Sequence, residues 1–197
     1  MNPDLAEEIE YMINLLTKSG FFSVEEITEI LEDQFIEEDI DFSRFDISLN
    51  DSSNSNFSKL ENVFTSLGDE NIVAVHNCGY DIEEGVADAF ELFVHLTNNK
   101  FAPIGFCFYT FEDIEYAIYD NMLKITFGDF ENNEKKALEI GKVIANCLKD
   151  ANFDVKWDET VNNQIEINPF VWDKSYEDKE YGMEGAYEVF IGKKVEK

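Results

Sequence analysis

The chain has 197 residues, and 44% of them are apolar, including 18 Phe, which is enough to fill a core without disulfides or metals and too much for a wholly disordered polymer. Against 15 basic residues stand 43 acidic ones, a net charge of −28, and Arg44 is the only arginine. Nucleic-acid phosphates and anionic membranes both demand clustered Lys and Arg, so neither is expected as a partner, whereas a basic protein would be steered towards the chain.

Helices come first. Leu5, Ile9, Met12, Ile13 and Leu16 recur at helical spacing until Ser19 and Gly20 stop them. The opening residues, Met1 to Glu8, carry no positive region with an apolar stretch behind it, so no secretory signal is expected. No apolar run approaches the ~18 residues of a membrane span. Ser23 and Glu26 have the spacing of a capping box, opening a second helix whose apolar side carries Ile27, Ile30, Leu31 and Phe35. Residues 1–50 hold 14 acidic groups against Lys18 and Arg44 alone. The polar, turn-rich run 50–56 is expected to link a helical N-terminal segment, 1–49, to a second domain, 57–197. A third helix there bears Leu60, Val63, Phe64 and Leu67 and stops at Gly68.

From residue 71 strands alternate with helices. Ile72 to Val75 is a short apolar run of the kind found in buried strands. Residues 83–98 predict a helix burying Val86, Phe90, Phe93 and Val94. A second strand follows at 104–109, and Thr110 with Asp113 caps a short helix carrying Ile114, Ala117 and Ile118. Residues 122–127 alternate, with Leu123, Ile125 and Phe127 on one side, as a half-exposed strand does. A helix over about 133–151 buries Leu138, Ile140, Ile144 and Leu148. Val155 and Trp157 then face Ile165 and Ile167 across a polar loop, the pattern of a hairpin, and Ala186 to Ile191 adds an edge strand. The fold class is therefore α+β: a helical N-terminal segment followed by a mixed, largely antiparallel β-sheet with helices packed on it.

Several segments of the second half carry a resemblance. They are His76-Asn77-Cys78-Gly79-Tyr80 with acidic residues and Gly85 behind it, and Gly105-Phe106-Cys107-Phe108-Tyr109 followed by Asp113, Glu115 and Ala117. Leu123 to Gly128, Ile140-Gly141-Lys142-Val143, Phe153 to Asp158 and Ile165 to Trp172 complete the set. In this order and spacing they resemble an uncharacterised bacterial family known only as a domain of unknown function. The resemblance covers most of residues 5–173 and implies a bacterial source and a shared fold. It brings no activity, cofactor or catalytic residue with it.

Candidate chemistry gathers in two turns. His76, Asn77 and Tyr80 lie where an apolar strand meets a loop, and a histidine beside carboxylates can act as acid or base. Tyr109, Asp113 and Glu115 surround the next strand-to-helix turn, although capping alone explains Asp113. If both turns lie at one end of the sheet, these six residues line one pocket. Cys78, Cys107 and Cys147 are widely spaced in apolar surroundings and read as reduced, mostly buried thiols of a cytoplasmic protein. No paired-ligand zinc spacing, calcium loop, phosphate-binding glycine loop or nucleophile elbow occurs, so no metal or cofactor is assigned. Three functions compete: a non-catalytic acidic binding or regulatory protein with a basic protein partner, a small-molecule enzyme or sensor using the turns 76–80 and 109–115, and, from charge alone, an acidic mimic of DNA. Charge and the missing catalytic set favour the first.

Overall fold

The structure, a computed structural model, describes residues 3–38 and 40–195. The chain divides into two units, residues 1–55 with 173–178 and residues 56–172 with 179–197.

In the first unit, helix α1 (Pro3–Ser19) turns into α2 (Val24–Gln34). α1 buries Ile9, Ile13 and Leu16, and α2 buries Ile27 and Leu31, which is the apolar stripe the spacing predicts. Gly20 has φ of +72°, and a Cβ there would lie 2.4 Å from the Lys174 carbonyl oxygen, so both conformation and space require glycine. Both capping-box bonds form: the Ser23 amide donates to Glu26 Oε2 at 2.7 Å and the Glu26 amide to Ser23 Oγ at 3.2 Å. After α2, Phe35, Phe42 and Phe45 pack ring against ring. The polar run that follows pairs with 173–177: the Ser52 amide donates to Ser175 Oγ (2.8 Å), the Ser175 amide to Asn54 Oδ1 (2.7 Å), and the Asn54 amide to the Asp173 carbonyl (3.0 Å). Lys174 is buried in this unit, its ammonium donating to the Ser175 carbonyl and lying over the Phe21 ring.

The second unit takes up helix α3 (Ser55–Leu67) and continues β1 (Ile72–Val75), α4 (Ile82–Asn98), β2 (Gly105–Phe108), α5 (Phe111–Asp120), β3 (Leu123–Asp129), α6 (Glu134–Asp150), β4 (Val155–Lys156), β5 (Ile165–Ile167) and α7 (Met183–Val195). Its five strands lie in the order β1-β2-β3-β5-β4. β1 and β2 are parallel, joined by the α4 crossover, and the other three pairings are antiparallel. The α+β class, the helical N-terminus and the mixed, largely antiparallel sheet all hold. Val73, Val75, Phe106 and Phe108 pack with Ala89, Leu92 and Leu96 of α4 on one face. On the other, α6 approaches so closely that a Cβ on Gly105 would meet Ile140 and a Cβ on Gly141 would meet Phe127 and Trp157. Among the described residues no helix is long and apolar enough to cross a membrane.

One expected element is different. Ala186 to Ile191 is not an edge strand but part of α7, which packs along β1. Ala186 and Phe190 are buried in the β1–β2–α4 core, with Met183, Tyr187 and Ile191 half-buried beside them. Burial at 183, 186, 187, 190 and 191 is helical periodicity, and Lys193 and Lys194 in the last turn suit the negative end of the helix dipole.

Candidate functional site

Because β1 and β2 run parallel with Val75 beside Phe108, the next residues, His76 and Tyr109, emerge together at one end of the sheet. Nδ1 of His76 lies 2.8 Å from the Tyr109 hydroxyl. Both residues are buried, at 7% and 0% exposure. Aromatic rings enclose the imidazole: Phe64 stacks on it with centroids 4.6 Å apart, while Phe57 and Tyr181 approach at 5.4 and 5.7 Å. Burial drives the Tyr109 phenol well above its ordinary value, and nearby Tyr181 and Glu61 add to the effect, so Tyr109 stays neutral.

Past the strand ends the two turns are stitched together by backbone bonds. The Cys78 amide donates to the Tyr109 carbonyl (2.9 Å), the Phe111 amide to the Gly79 carbonyl (3.1 Å) and the Glu112 amide to the Tyr80 carbonyl (3.2 Å). Asn77 and Gly79 turn the chain with φ of +49° and +70°. Asp113 is buried as the third residue of α5, the carboxylate half of a capping box whose N-cap is Thr110. Its Oδ2 accepts from the Thr110 amide (2.9 Å) and hydroxyl (3.0 Å), and its Oδ1 from Gln164 Nε2 (3.4 Å). Burial raises its carboxyl above the ordinary value, with the Thr110 and Gln164 bonds and Lys124 pulling the other way.

The six candidate residues therefore separate. His76, Tyr109 and Asp113 point inward, and Asn77 forms the turn. The cavity beside His76, also bordered by Phe64, Ala74 and Tyr181, has a volume of about 20 Å³, room for a single water. The His–Tyr pair can share a proton, but nothing larger than that water fits against it on this side. Neighbouring thiols are poor nucleophiles. Burial, with the charge of Asp88, pushes the Cys78 thiol up to about 12, and burial likewise raises that of Cys107. Among the described residues no group of three His, Cys, Asp or Glu side chains is arranged to hold a metal ion.

Tyr80 faces outward instead, with the half-buried Glu115 near it. Tyr80 is 55% exposed and stacks on Phe111. Partial burial, then the charges of Glu112, Glu115 and Asp81, raise its phenol above the ordinary value; burial and Glu115 do the same to Tyr119. Glu115 thus acts electrostatically on two tyrosines. Tyr116 completes the surface, with the Lys124 ammonium 4.6 Å above its ring. Sequence reasoning missed Tyr116 and Tyr119. The available signal was their place with Glu112 and Glu115 at helical spacing, opposite the apolar residues Ile114, Ala117 and Ile118.

No curated protein and no solved structure matches this chain. Residues 2–176 do match one family, and on that coverage the chain belongs to the domain-of-unknown-function family DUF6891.

Proposed function

We propose that this protein is a non-catalytic binding or regulatory protein whose partner is a basic protein, engaged at the surface formed by Tyr80 and the outer face of α5. One observation carries the reading: Tyr80, Tyr116 and Tyr119, each more than 40% exposed, share a surface with Glu112, Glu115 and Asp81. Tyrosine offers a large, rigid contact area at small entropic loss, and its ring face attracts Lys and Arg. Carboxylates between the rings give those cations ion-pair partners, while the net charge of −28 steers them in. The three unbridged cysteines fit a reducing compartment such as a bacterial cytoplasm. A small-molecule enzyme or sensor at the two turns would need room beside His76, where the cavity holds about 20 Å³.

The test is retention of basic proteins from a bacterial extract on the immobilised full chain at low salt, beside the triple variant Tyr80→Ala, Glu112→Gln, Glu115→Gln. A specific basic protein held by the wild type, released by salt and lost from the variant is the expected result. An extract that yields no basic protein overturns the function. Equal retention by the variant overturns the assignment of the surface.

A further inference from the structure

At the other end of the same sheet, where β1 and β2 begin and β3 ends, the structure holds a cavity of about 610 Å³. That volume is in the range of small-molecule sites, roughly 300–1,000 Å³. Its walls are apolar and aromatic. Phe93 of α4 and Phe130, just beyond β3, stack with centroids 4.3 Å apart, and Phe101, Ile104 and Ile140 continue the lining. Ile104 is 54% exposed, a bulky aliphatic side chain held in water on the loop before β2.

The polar lining has a definite sign. Glu70, Glu131 and Glu139 bring three carboxylates, and Lys136 brings the single ammonium, already ion-paired with Glu131. The lining is thus net negative by two, on a protein whose overall charge of −28 enriches cations around it. We infer that this cavity binds a small amphiphilic cation, a molecule with an aryl body and one ammonium group. The aryl body displaces water from Phe93, Phe101 and Phe130, whose ring faces also favour an adjacent cation. The ammonium meets Glu70 and Glu139. An anion of the same shape meets those two carboxylates and a lysine already neutralised by Glu131, and a neutral analogue gains the apolar burial alone. This site is remote from the Tyr80 surface and stands independently of the protein-binding reading.

A matched set of probes tests it: naphthylmethylammonium, naphthylmethanol and naphthoate, titrated calorimetrically into the full chain. The ammonium is expected to bind tightest, the alcohol next and the carboxylate weakest, with about tenfold or more between the two ions, a difference of about 1.4 kcal/mol. Ala102→Trp, on the exposed loop before β2, fills the cavity and abolishes binding of all three. Glu70→Gln with Glu139→Gln brings the ammonium down to the affinity of the alcohol. A thermal melt of each variant establishes that it is folded. Binding of naphthoate as tight as that of the ammonium, no binding of any probe at millimolar concentration, or ammonium binding unchanged in both variants would each overturn the assignment; the last would mean that the cation is held only by the general acidity of the surface.

Discussion

Removing the Tyr109 hydroxyl leaves Nδ1 of His76 without the partner now 2.8 Å away, inside a cage of rings. A single hydrogen bond of this kind contributes about 0.5–1.5 kcal/mol net, so Tyr109→Phe should lower the urea midpoint by a corresponding amount. Tyr80→Ala, at an exposed position, should leave it nearly unchanged. Equal effects would mean that the buried and exposed halves of the candidate set have been wrongly divided. Asp113 offers a second test, through pH. Its carboxyl titrates above the ordinary 3.8 chiefly because it is buried. An acid raised on folding favours the fold while protonated and opposes it when ionised, so its contribution is fully present below 3.8 and is lost as pH rises through the folded value. Wild type should therefore lose stability relative to Asp113→Asn as pH increases from 3.8 upward. Parallel stability curves from urea melts of the two proteins would show that the Thr110 and Gln164 bonds offset the burial completely. Both turns were legible as strand ends because apolar runs stop at His76 and Tyr109. Which side chains point inward was not, since that depends on the β1–β2 register and on aromatic residues as distant as Phe57 and Tyr181.

α7 shows where local pattern misleads. Ala186 to Ile191 reads as a strand because a short run containing Tyr, Val, Phe and Ile has strand propensity, and only burial against β1 selects the helix. Phe190, 2% exposed, anchors that packing. Phe190→Ala should cost about 3–5 kcal/mol in chemical denaturation; a loss below about 1 kcal/mol, the level of a surface change, would mean that α7 does not cover β1. Gly85, inside α4, carries a complementary test. Alanine ordinarily gains about 1 kcal/mol over glycine in a helix. Here, however, a Cβ would lie 2.4 Å from the Phe108 ring and 2.7 Å from the Cys78 carbonyl oxygen, and overpacking of this kind costs about 1–3 kcal/mol. Gly85→Ala should destabilise on balance, and a raised melting temperature would contradict the tight α4–β2 contact. The elements with strong single-period patterns, α1, α2 and α6, were readable from the sequence alone, as were the alternating β3 and the β4–β5 hairpin. α4 was readable as a helix but not in its buried face, which carries Ala89, Leu92 and Leu96 and leaves the expected Phe90 and Val94 exposed. The return of 173–178 to the N-terminal unit was not readable. Its bonds to residues 50–54 run mostly from the side chains of one segment to the backbone of the other across about 120 positions, and no local periodicity reports such pairing.

Charge belongs to the whole molecule, yet it is unevenly shared. The unit made of 1–55 and 173–178 holds 18 acidic residues against Lys18, Arg44 and Lys174, a net of −15 in 61 residues, more than half the total in under a third of the chain. Surface ion pairs such as Arg44–Asp41 and Lys142–Glu159 join exposed groups and contribute little to stability. With 43 acidic residues and 15 basic ones, most carboxylates lie among like charges, and folding brings them closer together than they are in the extended chain. Added neutral salt weakens that repulsion: the screening length falls from about 30 Å at ~0.01 M to about 10 Å at ~0.1 M. The melting temperature should therefore rise over that interval, opposite to the response of a fold held by surface ion pairs. Sodium chloride and an equal ionic strength of a tetraalkylammonium salt should act alike if screening is the cause, whereas site-specific cation binding would favour one of them. A melting temperature that stays level through the interval would mean that the carboxylates stand far enough apart for water alone to shield them, and the long-range attraction for a basic partner would weaken with it.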